Sequence, residues 1–192
     1  MKEDEVNSLK RAKTAFSILF LLVLGGFLFV WLQSEREFQE ELAQRPVPAG
    51  LHPVVAEKSD QLIQQAESIG IDLVITDGFR STEEQNNLHS QGRSAAGNVV
   101  TYARGGESYH NYGLAIDFAL RLDNGDVVWD IARDDNGNGE RDWYEAAAIG
   151  KELGFAWGGD WQHFKDYPHL EMTFGLSIEE LQQGYRPENA ME

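Results

Sequence analysis

Positions 108–117 read SYHNYGLAID and positions 166–169 read DYPH, in a chain with five histidines and no cysteine. A lone histidine in a turn is often a cap or a packed ring. Here, however, a carboxylate follows His110 by seven residues and a second histidine waits downstream. If GLAIDFAL is a strand, alternation points Asp117 the same way as Ala115 and Ala119 and opposite to Ile116 and Phe118. Small neighbours leave room around the carboxylate, and a buried carboxylate without a partner is costly unless a cation offsets it. His169 is a third donor at the start of another strand pattern. Two imidazoles and one carboxylate with an open fourth position is the usual donor set of a catalytic zinc ion, which makes His110, Asp117 and His169 the candidate zinc ligands. With no cysteine, any metal site must be built from His, Asp and Glu.

Hydrolysis at such a site also needs a general base outside the ligand set. Asp166 lies three residues before His169, and Pro168 forces Tyr167 to be extended, so the Asp166 carboxylate can approach attacking water. A solvated loop residue is the competing reading of Asp166. Glu171 shares a strand face with His169 and is the rival as base, ligand or supporting partner.

The elements around these residues suit an α+β domain: a small, mostly antiparallel sheet with helices packed against it. Residues 51–69 have a helical apolar face ended by Gly70, and IDLVIT is a short β-branched strand. Ser81 and Glu84 have capping-box spacing for the next helix. GLAIDFAL and DVVWDI read as strands joined by an Asn124-Gly125 hairpin. WYEAAAIGKELG is a helix, HLEMTF a strand, and Ser177 caps a last short helix.

Ahead of this domain, Ala15–Leu32 carries no charge and is about long enough to span a bilayer core of roughly 30 Å. Lys10, Arg11 and Lys13 precede the segment and mainly acidic residues follow it. The positive-inside bias therefore puts residues 1–14 in the cytoplasm and the rest outside the membrane. A cleavable signal peptide competes with a single-pass anchor, but the run exceeds the usual apolar length of roughly 7 to 15 residues and no small-x-small site follows. RPVPAG breaks the helix-compatible stretch after the anchor, so residues 33–50 read as a stalk and 51–192 as the working domain. The net charge of -16 disfavours nucleic acid as a partner.

SYHNYGLAID resembles the S-x-H-x-x-G-x-A-x-D signature of the zinc peptidases that include the VanY and VanX D,D-peptidases (peptidase M15), and DYPH resembles their second motif, E/D-x-x-H. WGGDWQHFKDYPHLE, with Asp in that second motif, is most similar to the L-alanyl-D-glutamate endopeptidase branch of CwlK-type enzymes and phage endolysins. The resemblance covers about residues 72–174. It implies a D,D-peptidase/Hedgehog-like fold and a zinc-dependent peptidase acting on peptidoglycan stem peptides. His110, Asp117 and His169 would be the zinc ligands and Asp166 the catalytic base. It also implies a catalytic, substrate-binding arginine in GFRSTEEQ, at Arg80, which can hold a substrate carboxylate and polarise a nearby carbonyl, with Gln85 and Ser108 as further substrate-binding residues. Without the resemblance, Arg80 reads as a surface salt-bridge partner. A D-alanyl-D-alanine carboxypeptidase is the alternative within the class. A non-catalytic wall-binding module and a membrane-tethered scaffold are alternatives outside it.

DDNGNGERDWYE, residues 134–145, fits a calcium-loop pattern with Asp134, Asn136, Asn138, Gly139, Glu140 and Glu145 in register. A strand precedes it, Arg141 occupies position eight and two Asn replace Asp, so a polar surface turn is the competing reading. Trp157, Trp161, Phe164 and Tyr167 form an aromatic group that reads equally as core or as a cleft wall.

Overall fold

The computed structural model describes residues 2–187, and the chain divides into two compact units between Arg45 and Pro46. The first is a single helix, α1 (Lys2–Gln44). The apolar run and the acidic stretch after it are therefore continuous, and the helix stops where Pro46 and Pro48 withhold backbone donors. The segment within residues 13–44 is long and apolar enough to cross a membrane, and its large apolar side chains from Phe16 to Leu32 are exposed.

In the second unit, α2 (Pro53–Ser68) starts with Pro53 at its first turn, while the His52 ring accepts from the Val54 N–H. Its buried residues Val55, Ser59, Leu62 and Ala66 form one stripe at helical spacing. Ile69, expected on that face, is exposed. β1 (Leu73–Asp77) follows, then α3 (Thr82–Ser90), which opens with the reciprocal Ser81–Glu84 capping box. β2 (Ala115–Arg121) is the central strand. It pairs antiparallel with β1, with β3 (Val127–Val128) and with β5 (His169–Glu171), and β5 pairs with β4 (Ala156–Trp157). α4 (Asp142–Glu152) packs on α2, and α5 (Ile178–Gln182) closes the chain behind a Ser177–Glu180 capping box. Phe118 of β2 and Trp143 of α4 anchor the core, with ring centroids 5.0 Å apart and both side chains fully buried.

The expected strand over 126–131 shrinks to two residues because the Asp130 side chain accepts from the Ala132 N–H and turns the chain away. The expected strand over 169–174 ends at Glu171. Phe174 and Gly175, at φ 52 and 78, reverse the backbone where an extended run would have continued. β4 was not anticipated, since two residues are too short to show a period.

Candidate active site

Sheet register brings Asp117 of the first motif to His169 of the second. β2 and β5 pair so that Asp117 stands directly opposite His169, and on its other side Asp117 faces Asp77 at the end of β1. His110 lies in a 3-10 turn, Tyr109–Tyr112, just ahead of β2. That turn ends at Gly113 with φ 69, where a side chain would collide with the Gly50 carbonyl, so glycine is required.

The ring orientations are set by partners on the far side of each imidazole. His110 Nδ1 is 2.6 Å from the Gly78 carbonyl, to which it donates, leaving Nε2 facing the cluster. His169 Nε2 is 2.9 Å from Glu171 Oε2, which leaves Nδ1 facing inward. His110 Nε2 and His169 Nδ1 are 3.1 Å apart, and each is 3.3 Å from Asp117 Oδ1. That carboxylate oxygen is sealed from solvent without a well-formed hydrogen bond. Three electron-rich atoms so placed need a cation between them. Without a metal it is a proton. Burial works to lower the His169 pKa, but the Asp117 and Glu171 carboxylates outweigh it and raise the ring to about 9. Burial likewise opposes ionisation of Asp117, yet the two histidines hold its carboxyl well below the usual range.

The same donor set fits zinc. Ligand distances of roughly 2.0–2.1 Å in a tetrahedral shell place neighbouring ligands roughly 3.3 Å apart, close to the separations seen here. The candidate ligand atoms lie within 4.8 Å of one another, the one such His/Asp/Glu group among the described residues.

Asp166 opens onto the same cleft, which has a volume of about 520 Å³. Gly158 makes room for it: a Cβ there would sit 2.5 Å from the Asp166 carbonyl oxygen, whereas the glycine lets its own carbonyl accept from the Asp166 N–H. The indole N–H groups of Trp143 and Trp157 both donate to the Tyr167 carbonyl, at 2.9 and 2.8 Å, and pin the backbone between Asp166 and His169. Among the described residues the Asp166 carboxylate makes no hydrogen bond. Burial, and then repulsion from Asp117, push its pKa up, partly opposed by the two histidines and Arg80. A free carboxyl whose pKa is raised in this way is suited to accept a proton and return it.

Arg80 is not a surface residue. Its guanidinium bonds to Asp77 Oδ2 through Nε (3.1 Å) and Nη2 (2.6 Å), lies 3.5 Å from Asp117 Oδ2, and lines the cleft. Its Nη1 donates to Gln85 Oε1 at 2.7 Å. Gln85 is fully buried and its own amide donates to the Ala103 carbonyl at 2.8 Å. Gln85, expected to bind substrate, thus lies buried behind Arg80 and bonded to it. Ser108 lines the cleft, and its hydroxyl also accepts from the His110 N–H.

The 134–145 loop lies apart from this cleft and folds on itself. Asp134 accepts from the N–H groups of Asn138 and Gly139, and the Asn136 and Asn138 amides donate to the two Glu145 oxygens. Glu140 contributes a backbone N–H to Asn138. The aromatic group divides: Trp161 and Phe164 line the cleft, while Trp157 and Tyr167 stack with Tyr144 around a different hollow.

Sequence reasoning missed Asp77, Trp143 and Tyr102. Asp77 had a faint signal as an acid at a strand end before glycine. Trp143 and Tyr102 had none, because only the fold brings Trp143 to the Tyr167 carbonyl and Tyr102 into the cleft lining.

A cation-demanding His/Asp/His cluster beside a raised carboxyl defines a metal-dependent hydrolase site. The family model for D-alanyl-D-alanine carboxypeptidase matches residues 101–172. The chain is 56% identical over 161 residues to the peptidoglycan L-alanyl-D-glutamate endopeptidase CwlK of Bacillus subtilis (strain 168), covering 84% of this chain and 96% of that protein. It is 33% identical over 114 residues to an L-alanyl-D-glutamate peptidase of Listeria phage A118, covering 59% of this chain and 35% of that one. The L,D-carboxypeptidase DacB from Streptococcus pneumoniae is a solved structure with 23% identity and a TM-score of 0.48, over 71% of this chain and 78% of that one. The chain belongs to the peptidase M15 family.

Proposed function

We infer that this protein is a zinc-dependent peptidoglycan endopeptidase that hydrolyses the bond between L-Ala and D-Glu in stem peptides. The observation that carries this reading is 56% identity across 96% of an endopeptidase of that specificity. His110 Nε2, Asp117 and His169 Nδ1 are the residues that would hold the zinc. When bound, the metal supplies a Lewis acid for the scissile carbonyl and lowers the pKa of attacking water.

The chain's own groups do the rest. Asp166 takes the proton from the attacking water as the C–O bond forms and then returns it to the D-Glu amine as the peptide C–N bond breaks. Arg80, pre-oriented by Asp77 and Gln85, holds a substrate carboxylate through the planar fork of its guanidinium. Ser108 offers its hydroxyl to the substrate at the cleft wall. Glu171 fixes the His169 ring so that Nδ1 faces inward.

Helix α1 serves as a single-pass anchor, with the N-terminus in the cytoplasm and the peptidase facing the wall. Lys10, Arg11 and Lys13 before the apolar run support that orientation. The Asp134–Glu145 loop binds calcium weakly, at the millimolar level of the extracellular milieu, because two of its side-chain donors are neutral amides.

Digestion of purified peptidoglycan by the zinc-loaded full chain in detergent, read by mass spectrometry, tests the activity. New amino-terminal D-Glu from wild type but not from Asp166→Ala is the expected result. Free D-Ala would move the protein to carboxypeptidase chemistry, the activity that the family model's description carries. No product would leave a wall-binding module.

A further inference from the structure

The cleft has two chemically different parts. Its lining includes the charged Asp77, Arg80, Glu107, Asp117, Asp166 and Glu171 and also the aromatic Tyr102 and Phe164, with the Arg93 guanidinium over the Tyr102 ring at 5.6 Å from its centroid. Tyr102 is 73% exposed and Phe164 48%, an unusual display of aromatic surface for a water-facing domain. The two rings meet edge to face with centroids 6.0 Å apart. Phe164 belongs to the loop that carries Asp166, and Tyr102 to the segment before His110, so the pair bridges the two walls of the cleft.

The exposure of Tyr102 is built in rather than incidental. The residues on either side of it are tied to the buried Gln85 amide, through the Ala103 carbonyl at 2.8 Å and the Thr101 hydroxyl at 3.5 Å. The same amide holds Arg80. One buried side chain therefore links the segment that carries Tyr102 to Arg80.

We propose that Tyr102 and Phe164 form a subsite for the sugar ring to which the stem peptide is attached, making the enzyme selective for glycan-linked over released peptides. This rests on the endopeptidase reading above. In that substrate the L-Ala amine is acylated by the lactyl group of the muramic acid. Six covalent bonds separate the scissile carbonyl carbon from the pyranose ring, about 7 Å when extended. Tyr102 and Phe164 line the same cleft of about 520 Å³ as Asp117, Asp166 and His169, and their exposure places them on its solvent side. A glycan strand is also too bulky to enter and must cross the mouth. The D-Glu side of the scissile bond bears carboxylates, which match Arg80. The sugar side offers methyl groups and the C–H face of a pyranose, which match uncharged rings.

The test compares two substrates. One is the disaccharide peptide. The other is the lactoyl peptide obtained from it by alkaline elimination, which keeps the acylated L-Ala and lacks the sugars. The ratio of kcat/KM for the first to that for the second measures the contribution of the sugar. Wild type is expected to favour the disaccharide peptide, and Tyr102→Ala and Phe164→Ala, each in the full chain, to lower that ratio about three- to tenfold, the scale of one aromatic contact. An unchanged ratio in both variants, or a wild-type ratio near one, overturns the proposal. Zinc-loaded wild type that cleaves neither substrate instead overturns the endopeptidase reading.

Discussion

Zinc binding to the metal-free protein at pH 7 should expel a proton from His169. The imidazole is raised to about 9 because it sits between the Asp117 and Glu171 carboxylates. At pH 7 a group with that pKa is about 99% protonated, whereas an unperturbed imidazole near 6.5 would be about 24% protonated. Because zinc requires the neutral ring, His169 alone contributes about one released proton per zinc, and the apparent affinity should tighten by about tenfold per pH unit from 7 towards 9. Calorimetric titration of zinc into the metal-free full chain, in buffers of different ionisation enthalpy, counts the protons directly. Glu171→Gln withdraws one of the two carboxylates that stabilise the imidazolium, so its release should fall below wild type. A wild-type release under half a proton at pH 7, or a pH-independent affinity between 7 and 9, would refute the argument that the cluster holds a proton in the metal's place.

The same shift sets the stability of the metal-free fold. A folded pKa above the unfolded value stabilises the protein fully below about pH 6.5 and loses that contribution as pH rises through about 9, up to roughly 3 kcal/mol. Thermal melts of the metal-free protein should therefore fall across that window, and zinc-loaded protein should not show the loss. Asp166→Asn should lower kcat by about 100- to 10,000-fold while zinc affinity, measured by competition with a chelator, changes little, since Asp166 is not a ligand. Gln85→Leu removes the amide that joins Arg80 to the Ala103 carbonyl. It should cost about 2–3 kcal/mol of stability in chemical denaturation and raise KM more than it lowers kcat, because the guanidinium loses its orientation.

Much of the site was legible in the sequence because its spacing is local. His110 and Asp117 fall in a single turn-and-strand motif, Asp166 and His169 in a four-residue one, and strand alternation puts the Asp117 side chain on a definite face. The capping boxes at Ser81 and Ser177 were equally readable, since their donors and acceptors are three residues apart. Strand lengths were not. DVVWDI and HLEMTF have the composition of full strands, but the Asp130 turn and the reversal at Phe174–Gly175 cut them short.

What the sequence determined by itself is the set of chemical groups and their short-range order: the donors, the carboxyl ahead of Pro168, and the apolar run in α1. What only the tertiary structure decided is which atoms face one another. The pairing of β2 with β5 sets Asp117 opposite His169. The Gly78 carbonyl and Glu171 choose the ring nitrogen that each histidine presents. Gln85 is moved from the cleft to a buried place behind Arg80, and Tyr102 is held out on the rim. Hydrogen bonds and sheet register join residues tens of positions apart, and such pairings leave no period or spacing for a sequence to display.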